Sequence, residues 1–385
     1  MCFFFHFILI ILISYLKCSD TYSIEFSYYL PLPYISLNFS LFNKSIFMPL
    51  ATIDKYTFIN PEMGFLRKCT KEKPEKNITL THEEILVQPC ESRLFLENQK
   101  ILTKFNFYVF TKYPTSFFKK YGYSLSFNIP DGKYSFMNQI MNEYKLKKKI
   151  FSFQQKNDKR YTHFGELPKY ELDQYKYKTK CKVKTNDWSC FIKRIKFDNN
   201  ILNVNKYAIF DSTVEGFIDS KDFLFFMISN LLSKNNSNYC STNIDELTYK
   251  ENIICRDEVL QINHKLIIEF DEGKYIEFKV QNLFSNFGLN GYSKFEYDFL
   301  YGETNHFVFG FSFLKEMNLS IFDYEDKAIY LYSDTFIMNT FSIMLKSLFI
   351  IVAFFLVMAS IFLFCIHFFQ NNKKHYFCVI KYEVD

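Results

Sequence analysis

Residues 347–369 read SLFIIVAFFLVMASIFLFCIHFF, and no other feature of this 385-residue chain constrains its fold so tightly. At ~1.5 Å per helical residue such a run crosses a hydrocarbon core ~30 Å thick. No Lys, Arg, Asp or Glu interrupts it. In lipid every backbone N–H and C=O has to be paired within the segment, so a helix is the expected form. Lys373, Lys374 and His375 follow. They assign that end to the cytosol and make 370–385 a short cytosolic tail.

At the other end an apolar block over 3–13 runs into polar residues, and cleavage is expected near 18–20, giving a signal peptide over 1–19. The block lacks a leading Lys or Arg, so an uncleaved anchor is the competing reading. Both readings send the middle of the chain across the membrane. The expectation is a single-pass type I protein of the secretory pathway or cell surface, with its ectodomain lumenal or extracellular.

Ten cysteines are present. Cys2 and Cys18 belong to the leader, and Cys365 and Cys378 to the membrane stretch and tail. Cys69, Cys90, Cys181, Cys190, Cys240 and Cys255 remain, an even set in an oxidising compartment, for which about fifteen connectivities exist. Pairing of sequence neighbours is the simplest: 69 with 90, 181 with 190, 240 with 255. With no CxxC and no histidine close by, zinc is not expected, and no cofactor or other metal is implied. Asn38, Asn43, Asn77, Asn235 and Asn318 begin N-x-Ser/Thr triplets and are candidate glycan acceptors.

The formal charge of +5 is mild. No polybasic arm or basic stripe interleaved with aromatics stands out, which argues against a nucleic-acid partner. KLKKK at 145–149 reads as a solvated helix or loop face.

The middle of the chain reads as β-rich. KLIIEF at 265–270, YIEFKV at 275–280 and AIYLY at 328–332 are strand-like, and Asp271, Glu272 and Gly273 separate the first two as a hairpin turn would. Helices are expected over 135–146 and 221–233. No tandem repeat of about 20–50 residues is visible. His82-Glu83-Glu84 lacks the second His of a zinc-peptidase motif. Gly310-Phe311-Ser312-Phe313-Leu314 fails the nucleophile-elbow pattern at its last position, and no phosphate-binding Gly loop exists.

The informative segment is YAIFDSTVEGFID at 207–219: an apolar strand, an Asp, two small hydroxyl residues, then a second apolar run. It resembles the second catalytic block of the pepsin-like aspartic peptidases, with Asp211 at the catalytic position. Segments in the same order are similar to others of that family. SFMNQ at 135–139, FSF at 151–153 and RYTHFGELP at 160–168 match the close of its N-terminal lobe, and WSCFIKRIK at 188–196 the opening of its C-terminal lobe. Cys240 and Cys255 fall where that lobe often carries a disulfide. FVFGFSFLKEMNLSIFDYEDKAIYLY at 307–332 matches its last block.

The resemblance implies a mainly β, bilobal double β-barrel ectodomain, with an N-terminal lobe over 20–168 and a C-terminal lobe over 169–334. A juxtamembrane spacer (335–346) and one C-terminal transmembrane helix (347–369) follow. It also implies a cleft for an extended peptide or protein ligand. In the family two aspartates share a proton and activate a water. Here IFMPLATIDKYTFINP at 46–61 aligns with the first catalytic block if Phe58 replaces its Trp, which puts Ala51-Thr52-Ile53 in place of Asp-Thr-Gly. The first aspartate is then a methyl group, and Asp54 is a poor substitute three residues away. Ser212-Thr213 stands where Thr-Gly is expected, and residues 80–100 lack the Tyr-Gly flap signature. The expectation is a catalytically impaired family member that works by binding. A working aspartic endopeptidase pairing Asp211 with another Asp, and a non-enzymatic surface glycoprotein, are the alternatives.

Overall fold

The computed structural model describes residues 21–29, 32–40, 44–52, 56–59, 69, 75–80, 83–96, 99–111, 123–128, 132–156, 159–175, 177–183, 188–214, 216–218, 221–234, 240–245, 250–260, 264–271, 274–286, 291–298, 306–333 and 355–363. Two units separate, Met1–Thr335 and Phe336–Asp385. The first is mainly β, because aromatic and β-branched residues at alternate positions bury one face of each strand. Strand Ser189–Phe197 is an instance: Cys190, Ile192, Ile195 and Phe197 are fully buried. The odd step from 192 to 195 is absorbed by a bulge between Ile192 and Arg194. An extra residue there keeps both apolar pairs facing inward.

Three sheets result. In the first half of the chain, Leu32–Phe39, Lys44–Ala51, Tyr123–Ser126, Phe58–Ile59, Gln99–Phe110, Glu83–Leu96 and Lys76–Leu80 are successive neighbours. Leu32–Phe39 pairs again with Glu83–Leu96 and closes the sheet into a barrel. In the second half the order is Ser189–Phe197, Asn200–Phe210, His306–Phe309, Phe217–Ile218, Tyr292–Asp298, Lys250–Arg256 and Cys240–Asp245. These seven strands follow the same order and directions in both halves, while the second sheet continues beyond Ser189–Phe197 with Lys265–Phe270 and Tyr275–Lys279. Lys44–Ala51 runs parallel to Tyr123–Ser126 as Asn200–Phe210 runs parallel to His306–Phe309. Both short strands pair antiparallel on one side and parallel on the other. The two halves therefore share one strand topology, over a length far greater than any repeat visible in the sequence.

The third sheet joins the halves. Its six strands run Thr21–Glu25, Lys159–Gly165, Ile150–Lys156, Leu319–Asp323, Ala328–Ser333 and Tyr177–Lys182. One hairpin from each half meets at the centre, and the opening strand of each half forms an edge. Phe151 stacks on Phe322 across the central pair at 4.6 Å between ring centroids. Trp188 closes this aromatic layer edge-on, against Tyr324 at 4.5 Å.

The expected hairpin is present as Lys265–Phe270 with Tyr275–Lys279, and the last expected strand as Ala328–Ser333. The helix expected over 135–146 occupies Phe136–Glu143. Ser135 caps it by accepting the Asn138 N–H, and Lys145 ends it with a positive φ. The helix expected over 221–233 is Lys221–Lys234. All three neighbour disulfides form: Cys69–Cys90, Cys181–Cys190 and Cys240–Cys255. The second ties the edge of the shared sheet to the second half's sheet, and the third links direct register partners.

Among the described residues no helix is long and apolar enough to cross a membrane. Of the apolar stretch 347–369 only 355–363 are described. They are helical, with Phe355, Leu356, Val357, Ile361, Phe362 and Leu363 all more than half exposed.

Candidate functional site

Each half sends a strand inward to a tight loop: Lys44–Ala51 ends at Ala51, and Asn200–Phe210 delivers Asp211. Flanking parallel strands hold both ends. Phe127 N–H donates to the Ala51 carbonyl and Asp211 N–H to the Phe309 carbonyl, each at 2.9 Å. Where the loops meet they lock reciprocally. Thr52 N–H donates to Ser212 Oγ and Ser212 N–H to Thr52 Oγ1, both at 3.1 Å. The Thr52 hydroxyl donates to the Phe210 carbonyl at 2.7 Å, and the Ser212 hydroxyl to the Leu50 carbonyl. Thr52 and Ser212 are fully buried. Four bonds thus satisfy groups that burial would otherwise leave orphaned.

Because the lock is symmetric, the residue before each hydroxyl occupies the same station: Ala51 in the first half and Asp211 in the second. Ala51 is fully buried and Asp211 is 5 % exposed. One carboxylate oxygen of Asp211, Oδ1, accepts the Thr213 N–H at 2.9 Å and the Thr213 hydroxyl at 2.7 Å. Thr213 is not among the described residues with positive φ. The β-branched side chain that departs from the expected Gly supplies a second donor to Asp211. Behind the loop, Gly310 N–H donates to the Gly216 carbonyl at 2.8 Å. A Cβ on Gly310 would lie 2.4 Å from the carbonyl oxygens of Val214 and Gly216, so only glycine fits.

Phe58 is stacked on Phe110 at 4.8 Å and lies close to Tyr108 at 6.3 Å. Tyr56 and Tyr134 extend this aromatic group, Tyr134 stacking on Tyr108 at 4.0 Å. Desolvation, with the Tyr134 and Tyr56 hydroxyls nearby, pushes the Tyr108 phenol far above its usual range. The stretch 80–100 lacks a Tyr-Gly signature; strand Glu83–Leu96 within it pairs antiparallel with Lys76–Leu80.

Asp54 and the acceptor candidates Asn43 and Asn235 lie outside the described residues. Asn77 is exposed, while Asn38 and Asn318 are half-buried. Thr52 and Ser212, the residues that bring the loops together, had a signal in the sequence. A small hydroxyl follows an apolar strand end twice, at PLAT and AIFDS, but nothing in either segment shows that the two hydroxyls bond each other. No family model matches the chain, and no curated protein matches it at a significant level.

Proposed function

We propose that this protein is a membrane-anchored relative of the pepsin-like aspartic peptidases whose catalytic pair is incomplete and whose cleft binds extended peptide. The observation that carries the reading is the reciprocal Thr52–Ser212 lock, which gives Ala51 and Asp211 equivalent stations. The duplicated strand order and the six-stranded sheet shared by the halves support the same fold assignment. In the family's chemistry two carboxylates hold one proton and polarise a water between them. A methyl group at Ala51 neither holds a proton nor accepts one, so Asp211 works alone. Binding of an extended chain survives this loss, because it rests on the walls of the cleft.

Three disulfides support an oxidising, secretory address. The helix over 355–363, whose large apolar side chains are exposed, supports a bilayer as its surroundings. Its orientation follows from Lys373 and Lys374.

The test is incubation of the purified full chain with a peptide library at acidic pH. Peptides are expected to be retained and not cut. Pepstatin-sensitive cleavage that disappears in Asp211→Ala would overturn the proposal.

A further inference from the structure

The shared sheet ends at strand Tyr177–Lys182, and no described strand pairs with its outer edge. An antiparallel ladder bonds a strand to one neighbour through every second residue. Val183 N–H donates to the Lys327 carbonyl at 2.8 Å, in step with Cys181 opposite Ile329 and Thr179 opposite Leu331. Thr179 and Cys181 therefore commit their backbone groups to strand Ala328–Ser333, and Lys178 and Lys180 turn theirs outwards. Such an edge is a template for one more strand.

The template is fixed on both faces of the sheet. On the inner face the Thr179 hydroxyl donates to the Tyr275 carbonyl at 3.2 Å, and Cys181 is bonded to Cys190. On the outer face the Lys178 ammonium lies 4.2 Å from the Tyr330 ring centroid and 5.7 Å from that of Tyr332. An edge already held as a strand has little order left to gain when a partner docks.

Its side chains state what the partner carries. Lys178, Lys180 and Lys182 project on the outer face, each about 6.6–6.8 Å along the strand from the next. Asp326 takes up Lys180 at 3.5 Å. Lys178 is exposed and meets no carboxylate at ion-pair distance among the described residues. Partial burial, and then the neighbouring Lys180 ammonium, hold the Lys178 pKa below its usual value. A carboxylate brought beside the two lysines relieves that repulsion.

Three kinds of occupant differ in what they satisfy. A polyanion without a peptide backbone, such as a nucleic acid or an anionic lipid surface, meets the lysines and leaves the outward N–H and C=O groups unpaired. A second copy of this strand supplies a backbone but sets like charges opposite one another. An extended acidic peptide supplies both, because its alternate side chains recur at the spacing of the lysines.

We propose that strand Tyr177–Lys182 is a docking edge for an acidic, extended segment of a partner protein. The segment joins the shared sheet as one further antiparallel strand, with Asp or Glu side chains opposite Lys178 and Lys180. The edge lies outside the Thr52–Ser212 loops, so the inference stands apart from the peptide-binding reading of the cleft.

The test follows labelled peptides by fluorescence anisotropy, with the full chain in detergent micelles. The probes are a peptide of alternating Glu and Thr, its Lys and Thr counterpart, and the Glu and Thr peptide N-methylated at every Glu. In the docked strand the residues opposite Lys178 and Lys180 make the backbone bonds, so N-methylation there removes the donors and keeps the charge. The Glu and Thr peptide is expected to saturate with Kd below about 100 μM, and the other two to bind at least about tenfold more weakly. Lys178→Glu, at an exposed position, should weaken the Glu and Thr peptide at least about tenfold with thermal unfolding unchanged. Three outcomes overturn the inference: no saturation by the Glu and Thr peptide up to about 1 mM; equal affinity for its N-methylated form, which would assign binding to charge alone; or affinity unmoved by Lys178→Glu, which would place the peptide in the cleft or elsewhere.

Discussion

At the residue scale, burial and hydrogen bonding set the behaviour of His163. Its Nε2 contacts Gln154 Oε1 at 2.8 Å and its Nδ1 contacts the Ser23 hydroxyl at 2.7 Å. Gln154 Nε2 is committed to Glu171 and Tyr175, so Gln154 presents its oxygen, and the imidazole donates from Nε2 and accepts at Nδ1. Desolvation pulls the His163 pKa down to about 4; the Glu171 carboxylate opposes this and the Lys156 ammonium adds to it. A folded-state value below the unfolded one means that the unfolded chain binds the proton first. Stability from the neutral ring is therefore complete above about pH 6.5 and is lost as pH falls towards 4, by up to ~3 kcal/mol. Urea midpoints measured between pH 7 and pH 5 should fall for the parent and flatten in His163→Gln. A parallel fall in both would assign the loss to other groups. Ser212→Ala strips the Leu50 carbonyl and the Thr52 N–H of their partner across the lock. It should cost about 1–3 kcal/mol. A cycle with Thr52→Ala should give a non-additive total, because the two hydroxyls serve the same bonds.

At the scale of elements, strand Tyr177–Lys182 shows how a local pattern carries a structural task. It is the last strand of the shared sheet, so one of its edges has no partner among the described residues. Lysines at 178, 180 and 182 alternate with Thr179 and Cys181. The Lys178 ammonium sits 4.2 Å from the Tyr330 ring centroid, and Lys180 lies over the same ring at 5.1 Å. Stems cover aromatic surface while charge guards an open edge against a second chain. Lys178→Ile with Lys180→Ile should leave the fold intact and promote association, read as a rise in mass by light scattering in micelles of fixed composition; an unchanged mass would remove the guarding role. The 265–280 hairpin, both longer helices and the neighbour disulfides were legible without coordinates, because each rests on contacts close in sequence. The shared sheet was not. Its pairs, such as Ser23 with His163 and Ser152 with Ile321, join residues far apart in the chain, and strand propensity does not choose between distant partners.

At the scale of the whole molecule, the shared topology was hidden because the two halves share so little sequence. What recurs is the hydroxyl after a strand end, Thr52 and Ser212, and an aromatic at the following short strand, Phe58 and Phe217. Topology is kept by the ladders and by Gly310, while side chains at equivalent stations are free to diverge. Ala51 and Asp211 are the pair of equivalent stations that differ most in chemistry, and a substitution removes the difference. In Ala51→Asp a second carboxylate enters a buried station across the lock from Asp211. Two such groups cannot both ionise cheaply, so one folded-state pKa rises above its unfolded value. The sign follows: the variant's penalty is small at low pH, where the pair holds a proton. It grows as pH rises through the unfolded carboxylate range, by about 1.4 kcal/mol for each unit of upward shift. The stability difference between Ala51→Asp and the parent should therefore widen from pH 3.5 to pH 7. Ala51→Asn supplies the control, since its similar bulk carries no charge and its penalty should stay level. A difference that stays level for both substitutions would mean that the two stations do not face each other, and would remove the ground for reading Asp211 as half of a lost pair.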